Sequence, residues 1–142
     1  MSVPDAVLCK PGPLTPEERR QVETHAARGA QLIRHVPALA GVAAAIRAHH
    51  ERWDGTGYPD GVVGPEIPLA ARLVAIAAAY DAMTTDRPYR RALSLAVALA
   101  DLQRNRGMQL HPDLVDLALA ELGATRMPGA TPCMRPMEQV HV

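Results

Sequence analysis

The sequence predicts an all-α protein: one helical bundle of about five helices with one long loop. The apolar fraction is 48%, and it is supplied by Ala, Leu, Val and Ile, because the chain has no Phe, one Trp and three Tyr. Ala and Leu are strong helix formers. No segment alternates apolar and polar residues as a half-buried strand does. A chain of 142 residues can form one domain with its own core but is too short for two.

The first predicted helix has a clear start. Thr15 can act as the N-cap, Pro16 suits the first helical position, and Glu18 occupies the third position of a capping box. The helical pattern continues to about Arg34 and carries His25 near its middle. Local chemistry alone therefore places this helix.

A second helix follows Pro37, from about Ala38 to Glu51, and ends in the pair His49-His50. Residues 52–68 are too dense in Gly, Pro and Asp for a regular element. Because long loops inside a compact domain are usually functional or disordered, we expect this loop to matter for function.

The third predicted helix, from Leu69 to about Thr85, is the most apolar segment and is expected to be central to the core. A charged turn, residues 86–91, follows it. The fourth helix extends from about Ser94 to Arg106 and stops at Gly107, a residue type common just beyond helix ends.

The fifth predicted helix spans about Pro112 to Leu122 and stops at Gly123. Residues 1–14 carry three prolines and are expected to be extended. From residue 126 onward Pro, Met and Gly dominate without periodicity. We therefore predict one domain at 1–125 and a flexible tail at 126–142.

Charge and cysteine content exclude several classes of function. Lys+Arg and Asp+Glu balance at 15 each, so no overall basic field favours nucleic acid or an anionic membrane. Cys9 and Cys133 form no CxxC motif and are expected to be free thiols, as in cytosolic proteins. The longest apolar stretch, Leu73 to Ala79, is far below the roughly 20 residues of a membrane span. With no secretory leader recognised, we expect a cytoplasmic protein.

The run from His49 to Pro59 carries the candidate chemistry, because two imidazoles precede a loop rich in Gly. Such a pattern suggests a metal site acting on phosphoesters. Adjacent helical residues point about 100° apart, so the pair should not chelate one ion as an i, i+4 pair would. Each could reach a different ion, or one could bind while the other supports it. His25, on an antiparallel neighbouring helix, could face them. A helical His considered alone is more often a satisfied or exposed residue than a ligand.

The chain resembles the HD-GYP family, bacterial phosphohydrolases that act on cyclic di-GMP. The resemblance covers about Val3 to Leu122, the C-terminal two-thirds of such a domain. It rests on segments that agree in order and spacing: Val3 to Leu8, Lys10 to Thr15, Thr24 to Ala30, His49 to Pro59, Ile67 to Arg72, Tyr80 to Thr84 and Asp86 to Arg90. It implies an all-α, metal-dependent hydrolase fold.

The resemblance implies roles for three groups of residues. His25, His49 and His50 match metal ligands, and the metal in the intact family is Fe, Mn or Zn. Two further sets match substrate-side positions: Arg87 and Arg90 with phosphate-contacting arginines, and Gly57, Tyr58 and Pro59 with the loop that lines the site and serves as an interaction surface. A guanidinium suits phosphate because it donates bidentately. Considered alone, the two arginines would be a solvated basic turn capping the third helix.

Two departures from the family pattern put activity in doubt. The upstream His and the His-Asp pair followed by Lys have no counterpart in this sequence. Ala78 occupies the position of a metal-ligand Asp, while Asp81 matches a separate position of the same pattern. Because a two-metal site needs bridging carboxylates, the three imidazoles should hold at most one weakly bound ion, of the Zn, Ni or Cu type rather than Mg or Mn. Catalysis is expected to be impaired.

Three interpretations remain open at this point. The chain could turn over cyclic di-GMP if a partner chain supplied the His-Asp helices. It could instead be a non-catalytic module that binds cyclic di-GMP weakly or contacts a GGDEF-type protein. It could finally be a remnant, or a gene model that starts too late. In that case, apolar faces of the second and third helices would be exposed and could support a homo-oligomer.

Overall fold

The computed structural model describes residues 12–86 and 91–124, together with Pro4, Val7 and Lys10. Within these residues the regular structure is helical, and one isolated bridge between Arg106 and Leu110 is the sole β-type pairing. The predicted all-α class is confirmed. The α-helices of the described ranges are α1 (Pro16–Ile33), α2 (Ala40–Ala48), α3 (Leu69–Thr84), α4 (Leu95–Arg104) and α5 (Pro112–Ala124), with short 3-10 segments at Pro37–Leu39 and Gly64–Glu66.

Some predictions fall outside the described residues. These are the flexible tail at 126–142, most of the extended segment at 1–14, and Arg87 and Arg90 in the charged turn. They stay predictions. No helix in the described part of the chain has the length and apolarity needed to cross a bilayer.

The start of α1 confirms the capping box. The Thr15 hydroxyl oxygen accepts from the Glu18 amide at 3.2 Å, and the Glu18 carboxylate accepts from the Thr15 amide at 2.7 Å. Pro16 occupies the first turn, and Arg34 follows the last helical residue as C-cap. Two of the amides that a helix start leaves unpaired are thereby satisfied.

The second helix is shorter than predicted. Its first turn is the 3-10 segment Pro37–Leu39, and α2 ends at Ala48 rather than at Glu51. The Glu51 amide donates back to the Ala48 carbonyl at 2.9 Å, which tightens the last turn, and the His50 carbonyl accepts from the Tyr58 amide at 3.3 Å. Because the loop takes up this carbonyl, the helix cannot continue through it.

The third helix has the predicted bounds to within one residue, while α4 and α5 differ at their ends. Ser94 caps α4 through its side chain, but the helix stops at Arg104, before a turn in which Gly107 adopts a φ of 74°. The helix α5 passes Gly123 and reaches Ala124. The prediction that Gly123 ends this helix is wrong, because a glycine without a left-handed φ does not by itself break a helix.

The core is built around α3, as the sequence predicts. Each helix packs against the next along the chain, and α5 also packs back on α3. Ile76 and Met83 of α3 join a main cluster completed by α4, α5 and the turn between them: Ala98, Leu102, Leu110 and Val115. Ala71 of α3 joins a second cluster with Ala48 and Ile67 beneath the long loop. The helix α3 therefore connects the two clusters.

One side of α3 is nonetheless exposed. Leu69, Leu73 and Val74 keep 56%, 50% and 46% of their surface accessible, and Ala77 and Ala78 are exposed on the same helix. On α2, Val42 is 49% exposed. The predicted apolar faces of the second and third helices are present. Surfaces of this kind are typical of contact sites.

Small residues allow α1 and α2 to lie unusually close. Ala26, Ala30 and Ala43 are 0%, 7% and 9% exposed. A Cβ added to Gly29 would lie 3.1 Å from the Ile46 side chain, tighter than an ordinary van der Waals contact. This contact brings the middle of α1 next to the end of α2, where the histidine pair follows.

Ala26→Leu tests this close contact. The larger side chain has no space at a position that is 0% exposed. We expect the free energy of unfolding in urea to fall by about 1–3 kcal/mol, the usual range for overpacking. Ala44→Leu, at an exposed position of α2, is the matched control and should change stability by less than about 0.5 kcal/mol. Equal losses in both variants would contradict the close contact.

Candidate metal centre

Three imidazoles converge where the middle of α1 faces the end of α2. Ligand nitrogens of His25, His49 and His50 all lie within 4.8 Å of one another. The Nε2 of His25 is 3.4 Å from that of His49 and 3.1 Å from that of His50. In a tetrahedral zinc site with bonds of about 2.0–2.1 Å, neighbouring ligand nitrogens are about 3.3–3.4 Å apart. The two separations measured from His25 therefore match those of ligands that share one zinc ion.

Backbone carbonyls fix the orientation of two of the rings. The Nδ1 of His25 lies 2.6 Å from the Val22 carbonyl oxygen, and the Nδ1 of His49 lies 2.6 Å from that of Ile46. Because a carbonyl oxygen can only accept, each Nδ1 carries the proton and donates it. In the neutral tautomer that this hydrogen bond selects, Nε2 keeps a free lone pair, which is the arrangement found for most metal-ligating histidines.

His50 is held in its neutral form by a different cause. Its pKa is lowered to about 4, first because burial of the ring disfavours the cation and then because His49 and His25 lie beside it. The neutral imidazole is the form that coordinates metals. At physiological pH this ring is therefore ready to bind without first losing a proton.

The end of α2 explains how neighbouring histidines face one site. The prediction that the pair diverges by about 100° assumed that both residues are helical. His49 is instead the C-cap, and His50 lies beyond the helix in the turn. Their ring centroids are 4.0 Å apart, and both rings contact His25. The helical premise of that prediction does not hold, because the helix ends at Ala48.

The loop that contains Gly57, Tyr58 and Pro59 returns to this cluster. The Tyr58 ring stacks on the His50 ring, with centroids 4.8 Å apart and an interplanar angle of 23°. Burial, followed by the charge of Glu23, raises the pKa of the Tyr58 hydroxyl. A Cβ on Gly57 would lie 2.6 Å from the Glu51 Cα, so only glycine fits there. Tyr58 is the predicted loop residue that the structure brings to the histidines.

The first residues of the loop are hydrogen-bonded to the turn between α4 and α5. The Asp54 amide donates to the Met108 carbonyl at 2.8 Å, and the Trp53 amide donates to the Gln109 carbonyl at 3.1 Å. Arg52 also donates to the Gln109 side chain at 3.2 Å. Sequence reasoning missed this turn, because nothing local to residues 105–111 indicates a partner more than fifty positions away.

Two side-chain networks stiffen the loop. Arg52 binds Asp54 at 2.8 Å, and this hydrogen bond, with those of Thr56, holds the pKa of Asp54 well below its usual range. Arg47 of α2 donates two bonds of 2.6 Å to Asp60. That bidentate pair lowers the pKa of Asp60, chiefly through the hydrogen bond from Arg47. The Arg52–Asp54 pair holds the start of the loop in place, and the Arg47–Asp60 pair holds its middle.

The cluster contains no carboxylate within the described part of the chain. The candidate metal group comprises the three histidines alone. Ala78 and Asp81 both lie on α3 and are exposed. Arg87 and Arg90 are outside the described residues. The donor set thus consists of three neutral nitrogens, which suits a borderline ion such as Zn²⁺ better than Mg²⁺.

The described part of the chain is thus a helical bundle with a cluster of three histidines that could hold a metal ion, and comparison with known proteins identifies the family. Residues 1–114 match the HD domain family. The chain is 43% identical over 122 residues to the cyclic di-GMP phosphodiesterase response regulator RpfG of Xanthomonas campestris, covering 84% of this chain and 32% of that protein. It is 40% identical over 113 residues to the 3'3'-cGAMP-specific phosphodiesterase 3 of Vibrio cholerae, covering 80% and 25%.

A solved structure agrees with the fold. A cyclic GMP-AMP-specific phosphodiesterase of Vibrio cholerae superposes with a TM-score of 0.63 at 22% identity, covering 87% of this chain and 32% of that one. The chain therefore belongs to the HD domain family and, within it, to the HD-GYP proteins. It spans about a third or less of the length of the relatives described here.

The Arg47–Asp60 pair should make stability depend on pH in acid. Because the folded state lowers the pKa of Asp60, the pair stabilises the fold above the unfolded-state pKa of about 3.9, and this contribution is lost as pH falls further. Both side chains are 41% exposed, so we expect at most about 1 kcal/mol. Unfolding of wild type and Asp60→Asn, measured from pH 7 to pH 3, should converge below about pH 4.

The matched control is the same substitution in an Arg47→Met background. There the Asp60→Asn difference should be small and independent of pH, because the guanidinium is gone. A wild-type difference that stays constant down to pH 3 would contradict the assignment of this ion pair.

Proposed function

We propose that this chain forms the three-histidine part of a metal-dependent phosphodiesterase domain that acts on a cyclic dinucleotide. The convergence of three Nε2 atoms is the observation that carries the proposal. The named relatives act on cyclic di-GMP or on 3'3'-cGAMP, which share two phosphodiester bonds in one ring. Cyclic di-GMP is the substrate that we assign to this chain.

His25, His49 and His50 would hold one divalent ion of the borderline type, such as Zn²⁺. When bound, such an ion polarises a phosphoryl oxygen and lowers the pKa of a bound water. The chain's own contribution is orientation: backbone carbonyls hold the rings of His25 and His49, and the Tyr58 ring covers one face of His50. Tyr58, Gly57 and Pro59 would line the substrate side of this centre.

Turnover by this chain is proposed to be low. A pair of metal ions about 3.5–4 Å apart needs carboxylates that bridge them and offset their charge. The cluster has none among the described residues, and Ala78 stands where the family pattern has an aspartate. A single weakly held ion leaves the two-metal clamp incomplete. In this assignment the domain comprises residues 1–125, and Arg87 and Arg90 bind the phosphates.

The carboxylate-free cluster also favours a second candidate, a non-catalytic module. Such a module would bind cyclic di-GMP through Tyr58, Arg87 and Arg90, or contact a GGDEF-type protein through the loop, without cleaving a bond. The exposed apolar side of α3 would then serve association with a second copy of the chain. The two candidates differ in one measurable respect: the module returns cyclic di-GMP intact.

Metal titration tests the centre directly. We expect calorimetry to give one equivalent of Zn²⁺ per chain and no measurable Mg²⁺ binding, because nitrogen donors favour the softer ion. His49→Ala should weaken zinc binding by more than about 100-fold, a larger loss than the 10–100-fold typical of an outer-shell partner. His35→Ala is the matched control, since His35 is exposed and contacts Arg34 rather than the cluster. Two equivalents of metal in the wild type would contradict a one-ion centre.

Ala78→Asp tests whether a missing carboxylate limits turnover. The variant should retain more Mn²⁺ and hydrolyse cyclic di-GMP faster than the wild type, measured by chromatography of the linear product. Ala77→Asp is the matched control, because Ala77 is also exposed but points about 100° away on the same helix. Equal rates in both variants would show that the ligand position has been misassigned.

A further inference from the structure

Glu51 is a buried acid that lies beside the histidine cluster but outside its candidate ligands. It directly follows His50 and is 4% exposed, the one charged residue among the described ranges that is buried. Its Oε1 accepts from the Asp60 amide at 2.7 Å and from the Gly61 amide at 3.2 Å. Its Oε2 is buried and has no hydrogen-bond partner within the described part of the chain.

The burial of this carboxylate needs a compensating role. A buried carboxylate is costly, and an unpaired buried oxygen adds to that cost. Two charge-assisted bonds to backbone amides offset part of it. Arg47 also lies near enough for the Glu51 charge to raise the pKa of its guanidinium, after the larger effect of Asp60. Position 51 therefore keeps an acid where an apolar residue would pack without this cost.

The two hydrogen bonds that the Asp60 and Gly61 amides donate to Glu51 join the middle of the loop to its start. Between Glu51 and Asp60 the chain runs out and back, and Tyr58 lies on the returning half. Gly57 packs against the backbone of this start, where a Cβ would lie 2.7 Å from the His50 carbonyl oxygen. The Tyr58 amide donates a hydrogen bond to the same oxygen at 3.3 Å. Closure at Glu51 thus determines where the Tyr58 ring lies.

We propose that Glu51 is a positioning residue of the histidine centre, acting through its reach to the Asp60 and Gly61 amides rather than through its charge. By closing the loop it keeps the Tyr58 ring on the His50 ring, so that the His50 Nε2 faces His25. The link to metal rests on the proposed function; the link to the His50 ring does not.

Two substitutions separate reach from charge. Glu51→Gln keeps the side-chain length and a carbonyl oxygen that can accept from both amides, but loses the charge. Glu51→Asp keeps the charge but is shorter by one methylene, about 1.5 Å, and cannot reach both amides. If reach matters, the Glu51→Gln variant behaves like the wild type in the measurements below and the Glu51→Asp variant does not. If charge matters, the order is reversed.

Metal-free protein gives the first readout. In Glu51→Asp, hydrogen exchange at the Asp60 and Gly61 amides should accelerate at least tenfold, and the His50 ring-proton resonances should lose their shift from the stacked Tyr58 ring. In Glu51→Gln both should stay close to wild type. Amides of α4 and α5 should exchange at unchanged rates, which excludes general unfolding. Wild-type readouts in Glu51→Asp would overturn the proposal.

Zinc binding gives the second readout. The zinc affinity should fall about 10–100-fold in Glu51→Asp, as for other outer-shell partners, and change less than about twofold in Glu51→Gln. A loss confined to Gln would show that charge acts and would overturn the proposal. Accelerated amide exchange with unchanged zinc affinity and His50 resonances would overturn it equally, because the loop would then not position His50.

A variant that spares Glu51 covers the case in which Glu51→Asp does not fold. Gly57→Ala forces the loop away from the backbone at His50 while the acid stays in place. It should reproduce the loss of the Tyr58 ring shift at His50, and wild-type resonances would count against the proposal. If the wild type takes up no zinc, the proposed function fails, whereas the resonances of metal-free protein still decide the role of Glu51.

Discussion

The close contact of α1 with α2 is the constraint on which the rest of the molecule depends. Ala26, Ala30 and Ala43 are buried there, and Gly29 lies against Ile46 with no room for a further carbon. Larger side chains along this seam would push the two helices apart. The histidine ring nitrogens, which are now 3.1–3.4 Å apart, would then be too distant to share one site. The small size of these alanines, rather than their hydrophobicity, thus allows α1 and α2 to bring the three histidines together.

Backbone carbonyls, rather than carboxylates, orient the rings of His25 and His49. His25 and His49 each donate to a carbonyl three residues earlier in the chain, at 2.6 Å, so the helix that carries each ring also orients it. Zinc-site histidines often donate to a carboxylate, which adds negative charge and raises ligand basicity. Two neutral acceptors provide orientation alone. The carbonyls therefore direct the rings of His25 and His49 without themselves adding negative charge beside a bound cation.

Local chemistry made most helices predictable. The capping box at Thr15 and Glu18 and the bounds of α3 follow from side-chain patterns within a few residues. The grouping of His25 with the His49-His50 pair came from the resemblance to a family, and the structure brings the three together. The end of α2 was not predictable, because it depends on a hydrogen bond from Tyr58 to a carbonyl eight residues earlier.

Other features were out of reach for the same reason. The bonds from Trp53 and Asp54 to the turn after α4 join segments that are distant in sequence. The role of Glu51 depends on the amides of Asp60 and Gly61, about ten residues further along the loop. A lone Glu after a histidine pair gives no indication in the sequence that it is buried. Gly123 shows the converse error, since its glycine is a local signal for a helix end, yet α5 continues to Ala124 without a left-handed φ at this residue. Local signals locate helices, whereas long-range bonds decide where they end.

The attachment of the long loop at both sides has a consequence for its motion. Glu51, Arg47 and the turn at Met108 and Gln109 hold it at several separate places. A segment held in this way cannot swing open about one hinge, since its anchors lie both at the end of α2 and on the turn between α4 and α5. Opening it would require breaking contacts to α2 and to the α4–α5 hairpin together, so the loop belongs to the same cooperative folding unit as the bundle. Because His50 is exposed and His25 and His49 are partly exposed in the described part of the chain, a ligand can reach the histidines without any opening of the loop.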